Sequence, residues 1–376
     1  MSAARAPGEA PACPAGWETA ALCALLRGDG DAVGEHATTG AALARAAADH
    51  GVAPLLFESL RAARMPPWTA AVADRLQGLA REEAAVDAIR AAACRDVLRA
   101  CADATLEVIV FKGGALAHSH YPRSDLRPHD DIDLLVRERD RERTAALLAG
   151  LGYARVSGAA GRLASYQSLH ARTDARGVRH NIDLHWRVSN RQRYAAALPV
   201  EALLARAVAL PALGPKARCP EPVDALLIAA FHRAAHRGTQ RLIWLFDIHL
   251  LAEGLSPAEG EALVERARES GIARECAEAL VLARDAFATA LPAPLARLAD
   301  RQGARAAMRA PRTFDIWLDD LAALDGWRQR LALLGEHAFP AADDMLSRAR
   351  VSSRLWLPLL YARRALRGLP GLFRRG

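Results

Sequence analysis

Two short apolar runs constrain this chain most: Leu106-Glu107-Val108-Ile109-Val110-Phe111 and Asp131-Ile132-Asp133-Leu134-Leu135-Val136. Each is short, β-prone and bounded by glycine or charge, as a buried strand is. The flanks read as helix instead. Trp17–Leu26, Thr39–His50 and Pro54–Arg64 have helical spacing. Leu76, Leu79, Val86, Ile89, Ala93, Val97 and Cys101 mark one long amphipathic helix after the break at Met65-Pro66-Pro67. Within the centre, Asp140 to Leu151 predicts a helix closed by Gly152. Ser165–Thr173 and Val178–Val188 predict two further strands joined by a turn at Asp174-Ala175-Arg176-Gly177. From Pro199 the pattern is helical again, with Asp224–Arg237 and Gln240–Ala252 paired about Gly238, then Pro257–Glu269 and Ala273–Ala290. The expectation is an α+β protein: a small mixed-sheet core over 106–190, a helical N-terminal region over 1–105 and a helical C-terminal region over 191–376.

Composition excludes several classes. No apolar run approaches the ~20 residues that cross a bilayer. The first seventeen residues lack a basic stretch followed by an apolar one, so no signal peptide is read and a cytoplasmic location is expected. The six cysteines show no CxxC spacing and no zinc pattern, and are expected to be buried apolar side chains. The net charge of +7 is carried almost wholly by Arg, since Lys occurs only at 112 and 216. Such a surface favours anionic substrates, but no aromatic-studded basic patch or nucleic-acid motif accompanies it.

Side chains two apart on a strand share a face, so Asp131 and Asp133 project together while Ile132 turns to the core. Paired carboxylates repel unless a cation lies between them, and Mg²⁺ or Mn²⁺ takes oxygen ligands of this kind. Upstream, a β-prone run enters Lys112-Gly113-Gly114 and a helix-compatible stretch leaves it. A glycine turn at a helix N-terminus lets backbone N–H groups approach phosphate. Downstream, Asn181-Ile182-Asp183-Leu184-His185-Trp186 places a third carboxylate on a strand, with Asp183 and His185 facing the same way. Asp130 points to the opposite face and is not counted as a ligand.

The order of glycine turn, Asp-x-Asp strand and later Asp strand resembles the DNA polymerase β-like nucleotidyltransferase superfamily. More closely, Phe111–Leu116, Tyr121, Arg127–Val136 and Ile182–Trp186 resemble the bacterial family of uncharacterised nucleotidyltransferases of the NTP_transf_5 type. The flanks Ala46–Leu56 and His236–Leu250 extend the similarity to residues 40–255. The resemblance implies that Asp131, Asp133 and Asp183 are catalytic and hold Mg²⁺ or Mn²⁺. It also implies that Gly113 and Gly114 hold an NTP, and that NMP passes to a hydroxyl acceptor with release of pyrophosphate. Lys112 and Arg127 stand beside these positions as further nucleotide-binding residues. Ala115 departs from the superfamily, where many members carry Ser in or next to the glycine pair.

The acceptor is left open between a small molecule and a protein. A non-catalytic relative of the fold and a tRNA-modifying transferase are the alternatives. His232 and His236 share a helix face and are read as structural in preference to substrate-lining. Asp247 either faces the cleft or holds a helix. The Arg-rich C-terminal segment is read as a docked helix, with weak contact to an anionic membrane surface as its alternative.

Overall fold

The computed structural model describes residues 17–29, 40–62, 70–158, 163–236, 240–306, 313–340, 342–349, 351 and 353–371. Met65-Pro66-Pro67 and Gly238 lie outside the described residues. Four helices come first: α1 (Trp17–Leu26), α2 (Gly40–Asp49), α3 (Ala53–Ala62) and the 34-residue α4 (Ala70–Asp103). The central module follows as β1 (Val108–Phe111), α5 (Lys112–Ser119), β2 (Ile132–Val136), α6 (Arg141–Gly150), β3 (Ala154–Gly158), β4 (Gln167–Thr173) and β5 (Arg179–His185). Short α7 (Gln192–Ala195) and α8 (Val200–Arg206) lead to a two-stranded ribbon, β6 (Val208–Ala209) with β7 (Arg218–Cys219). Then come α9 (Pro222–Ala235), α10 (Leu242–Gly254), α11 (Pro257–Glu269), α12 (Ala273–Phe287) and α13 (Ala293–Ala306). The chain ends on α14 (Thr313–Ala322), α15 (Trp327–Ala338), α16 (Ala342–Ala349) and α17 (Leu357–Gly371).

The fold is α+β, with one five-stranded mixed sheet in the order β1-β2-β5-β4-β3. β2 runs antiparallel to β1 and parallel to β5, and β5 and β4 form an antiparallel hairpin. That hairpin turns where expected. The Asp174 carboxylate accepts from the backbone N–H of Arg176 and Val178, each at 2.9 Å, and Gly177 has φ +81°. β3, unanticipated, covers the sheet edge beside β4. Its sequence, ARVSG, has no clean apolar alternation to reveal it.

Alternation divides the sheet into two faces. Val108, Val110, Ile132, Leu134, Val136, Ile182 and Leu184 pack with Ala91, Val97 and Cys101 of α4 and with Leu148 of α6. Ile109, Phe111 and Leu135 face the other way, into the core shared by α1–α4 and α9–α13. Asp133, Asp183 and His185 alternate with the first set, and so lie on the face that meets the C-terminal helices. The N- and C-terminal helices thus share one core around the sheet.

The five described cysteines are all free and buried, and burial pushes the Cys94 and Cys276 thiols well up. At the C-terminal end, Tyr361 of α17 donates to the Pro340 carbonyl at 2.6 Å and packs on Phe339 at 5.6 Å. These contacts join α17 to the segment before α16, while Leu355 is 91% exposed and Trp356 51%. Among the described residues, no helix is long and apolar enough to cross a membrane.

Candidate active site

The strand register builds the site. Phe111, Asp133 and Asp183 are cross-strand partners, Phe111 with Asp133 on antiparallel strands and Asp133 with Asp183 on parallel ones. Two residues on, His185 stands on the same face as Asp183. Its ring packs edge-on to Phe111 at 5.0 Å, and its Nε2 lies 2.8 Å from Asp133 Oδ1. A carboxylate only accepts, so Nε2 carries the ring proton. The Lys112 ammonium donates to the same Oδ1 at 2.8 Å.

These contacts set the charges. Burial would raise the Asp133 carboxyl, but the Lys112 ammonium and the His185 ring outweigh it and hold it well below the usual range. Burial, then the Lys112 charge, lowers His185 to about 4, so the ring is neutral near pH 7. Asp131, at the entrance to β2, is pushed up to about 7 by burial and by the charges of Asp133 and Asp183. Asp183 is pushed up to about 6 by burial and by Asp133. Its Oδ2 accepts from Gln167 Nε2 at 3.0 Å, and Gln167 Oε1 accepts from Asn190 at 2.9 Å.

The donor set fits a hard divalent cation. Ligand atoms of Asp133, Asp183 and His185 all lie within 4.8 Å of one another. Asp131 and Asp183 are held above their ordinary range by burial and by the Asp133 charge, a cost that a cation relieves. His185 is the member given no role from sequence, although its strand period had placed it beside Asp183. Asp131 stands outside this tightest set but within electrostatic reach of it. Asp130 lies outside this set at the rim of the cleft, 90% exposed and 3.9 Å from Arg90.

The glycine turn has an unforeseen partner. Lys112 is the first residue of α5 and has φ +55°, the left-handed region that a lysine rarely enters. Phe111 before it provides no side-chain cap, so the first N–H groups of α5 are not met by one. At Gly113 an added Cβ would lie 2.7 Å from Arg127 Nη1, whereas at Gly114 it would meet nothing closer than 3.7 Å. Gly113 is therefore required by the arginine laid across it. Gly113→Ala is expected to displace Arg127 and lower the melting temperature, while Gly114→Ala leaves it nearly unchanged; thermal unfolding of the two variants checks this.

Arg127 itself is held by Asp247 of α10. Its Nη2 and Nε meet the two carboxylate oxygens at 2.7 and 3.1 Å, and Tyr121 donates to the same carboxylate at 2.7 Å. Asp247 thus ties α10 to the turn, and Arg127 reaches the cleft only as part of that pair. A cleft of about 420 Å³ lies over the site, lined by Lys112, Gly113, Arg127, Asp131, Asp133 and Asp183 from the core. His232, His236 and Trp244 line it from the C-terminal helices.

A family model described as "Uncharacterised nucleotidyltransferase" matches residues 37–288, and the chain belongs to that family. Nucleotidyl transfer is accordingly the general role that its family supports. Among solved structures, the chain is similar to the antibiotic-resistance factor ANT(2'')-Ia at 16% identity, over 50% of this chain and 96% of that one, with a TM-score of 0.36. No curated protein matches significantly.

Proposed function

We propose that the protein is a metal-dependent nucleotidyltransferase that moves NMP from an NTP to a hydroxyl acceptor, a small molecule or a protein, and releases pyrophosphate. The observation that carries this reading is the register that sets Asp133 opposite Asp183, with Asp131 beside them, in the cleft that begins at the glycine turn. Asp131, Asp133 and Asp183 would hold Mg²⁺ or Mn²⁺, with His185 orienting Asp133, and a cation there would supply charge neutralisation to the phosphoryl oxygens.

This chain's own groups do the rest. The N-terminus of α5 at Gly113 and Gly114 orients the triphosphate, with positive charge from Lys112 and from Arg127. Asp183, which keeps Oδ1 free of Gln167, takes the acceptor's proton. The acceptor oxygen bonds to the α-phosphorus, and the bond from that phosphorus to the α–β bridging oxygen breaks. Pyrophosphate leaves with the electron pair.

The test is incubation with each labelled NTP, Mg²⁺ or Mn²⁺, and a lysate fractionated into protein, RNA and metabolites. Label in the protein or metabolite fraction is the expected result. Label confined to RNA would favour a tRNA-type transferase instead. Tight NTP binding with no labelled fraction would mark a non-catalytic relative.

A pH effect accompanies the metal. Near-neutral carboxyls at Asp131 (about 7) and Asp183 (about 6) mean that the folded protein holds protons which the unfolded chain, at 3.8, has released. Metal-free stability therefore falls as pH rises from about 4 to 7, since the unfolded state binds fewer protons there. A cation that takes the ionised pair reverses the fall. Mg²⁺ is expected to raise the melting temperature more at pH 8 than at pH 5. Equal shifts at both would contradict the assignment.

A further inference from the structure

The cleft has two chemically different ends. Beside Asp183 it is polar, with Gln167 on the carboxylate and Asn190 on Gln167. Toward the C-terminal helices it is aromatic. His232 and His236 on the last turn of α9 and just beyond it meet Trp244 of α10. Ring centroids are 4.5 Å apart between the histidines, 5.1 Å from His232 to Trp244 and 5.6 Å from His236 to Trp244. All three line the cleft that holds the carboxylates. Trp244 is half-buried and His236 is exposed.

We propose that this three-ring cluster is the platform on which the nucleobase of the NTP stacks, leaving the polar end beside Asp183 to the acceptor. The inference rests on the nucleotidyltransferase reading and adds to it the site of the base. Connectivity supports the division. α9 packs against α5, so His232 stands on the helix next to the turn proposed to hold the triphosphate, and all three rings line the same cleft as Lys112 and Gly113. Asp183, which takes the acceptor's proton, opens instead on Gln167 and Asn190. An indole and two imidazoles offer broad π-faces, and stacking on such faces tolerates any base. Burial, reinforced by the Lys112 ammonium, holds His232 well below its ordinary range, so its ring is neutral. A neutral ring stacks without adding a cation beside the proposed metal.

The test compares two ligands on the full chain by calorimetry in Mg²⁺: an NTP analogue with a methylene between the α and β phosphorus atoms, and inorganic tripolyphosphate. The wild type is expected to bind the analogue more tightly. Trp244→Ala should weaken the analogue by about tenfold or more, the usual worth of a base on an aromatic ring, and leave tripolyphosphate unchanged. Trp244→Phe should recover most of the loss. Tryptophan emission should be quenched by the analogue and not by tripolyphosphate. Three outcomes overturn the inference alone: an unchanged affinity for the analogue in Trp244→Ala, equal weakening of both ligands, or wild-type binding of tripolyphosphate as tight as of the analogue. Wild-type protein that binds neither ligand overturns the nucleotidyltransferase reading with it.

Discussion

Asp133→Asn is expected to lower nucleotidyl transfer by ~100-fold or more, the scale on which one charge-placing group matters in a preorganised site. The substitution keeps the shape and removes the charge. Asp133 lies at the centre of the site, touched by the Lys112 ammonium and the His185 ring and opposite Asp183 across the strand pair. Without it, the Lys112 ammonium and the neutral His185 ring face each other 3.4 Å apart with no anion between them, and the site loses one of the three carboxylates proposed to hold the cation. The fold should survive, because Lys112 borders the cleft with its side chain 18% exposed and can turn to water. Asp183→Asn should behave alike. Asp130→Asn is the control: its side chain is 90% exposed, so activity should be unchanged. Initial rates with labelled NTP, alongside thermal unfolding of each variant, separate these effects. Wild-type rates in Asp133→Asn would sink the site assignment.

The largest effect on stability is expected at the Arg127–Asp247 pair. Both side chains are almost fully buried, at 8% and 5% exposure. They are joined through two hydrogen bonds and carry Tyr121 as a third member. Removing one member of a buried pair leaves the other charge without a partner, at a cost of ~3–5 kcal/mol. Asp247→Asn or Arg127→Ala should show that loss in urea unfolding. Arg127→Lys should not restore it, since an ammonium cannot meet both oxygens in the same fork. Replacing both at once by apolar residues, Arg127→Met with Asp247→Leu, should recover much of the loss, because neither charge is then stranded. A single variant within ~1 kcal/mol of wild type, the worth of an exposed pair, would show the pair to be solvated instead.

Much of this architecture was legible in the sequence because it depends on local pattern. Period-2 alternation around Ile132 and Ile182 located two strands and put Asp183 and His185 on one face, while the parallel register that brings Asp133 beside them came only from the structure. Glycine, Asp-rich turns and helical spacing located most of the remaining elements. What stayed hidden depends on contacts between distant residues. Nothing near Arg127 says that Asp247, 120 positions later, will hold it. Nothing near Gly113 says that an arginine will fill the space of its missing Cβ. His232 and His236 could be placed on one helix face, but only packing brings Trp244 to them and all three to the carboxylates. β3 was missed because an edge strand that is not apolar in alternation has little to distinguish it from loop.

The left-handed backbone at Lys112 makes that position a point of conflict between conformation and chemistry. A glycine there would relieve about 1–2 kcal/mol of backbone energy. It would also leave the Asp133 carboxylate buried without its ammonium, a loss of ~3–5 kcal/mol. The second figure is the larger, so the strained lysine is the more stable choice as well as the more useful one. Substitution by arginine would keep the charge and the strain but alter the reach, and alanine would keep the strain and lose the charge. Position 112 should therefore tolerate very little drift, and for a reason that a comparison of side-chain chemistry alone would not reveal.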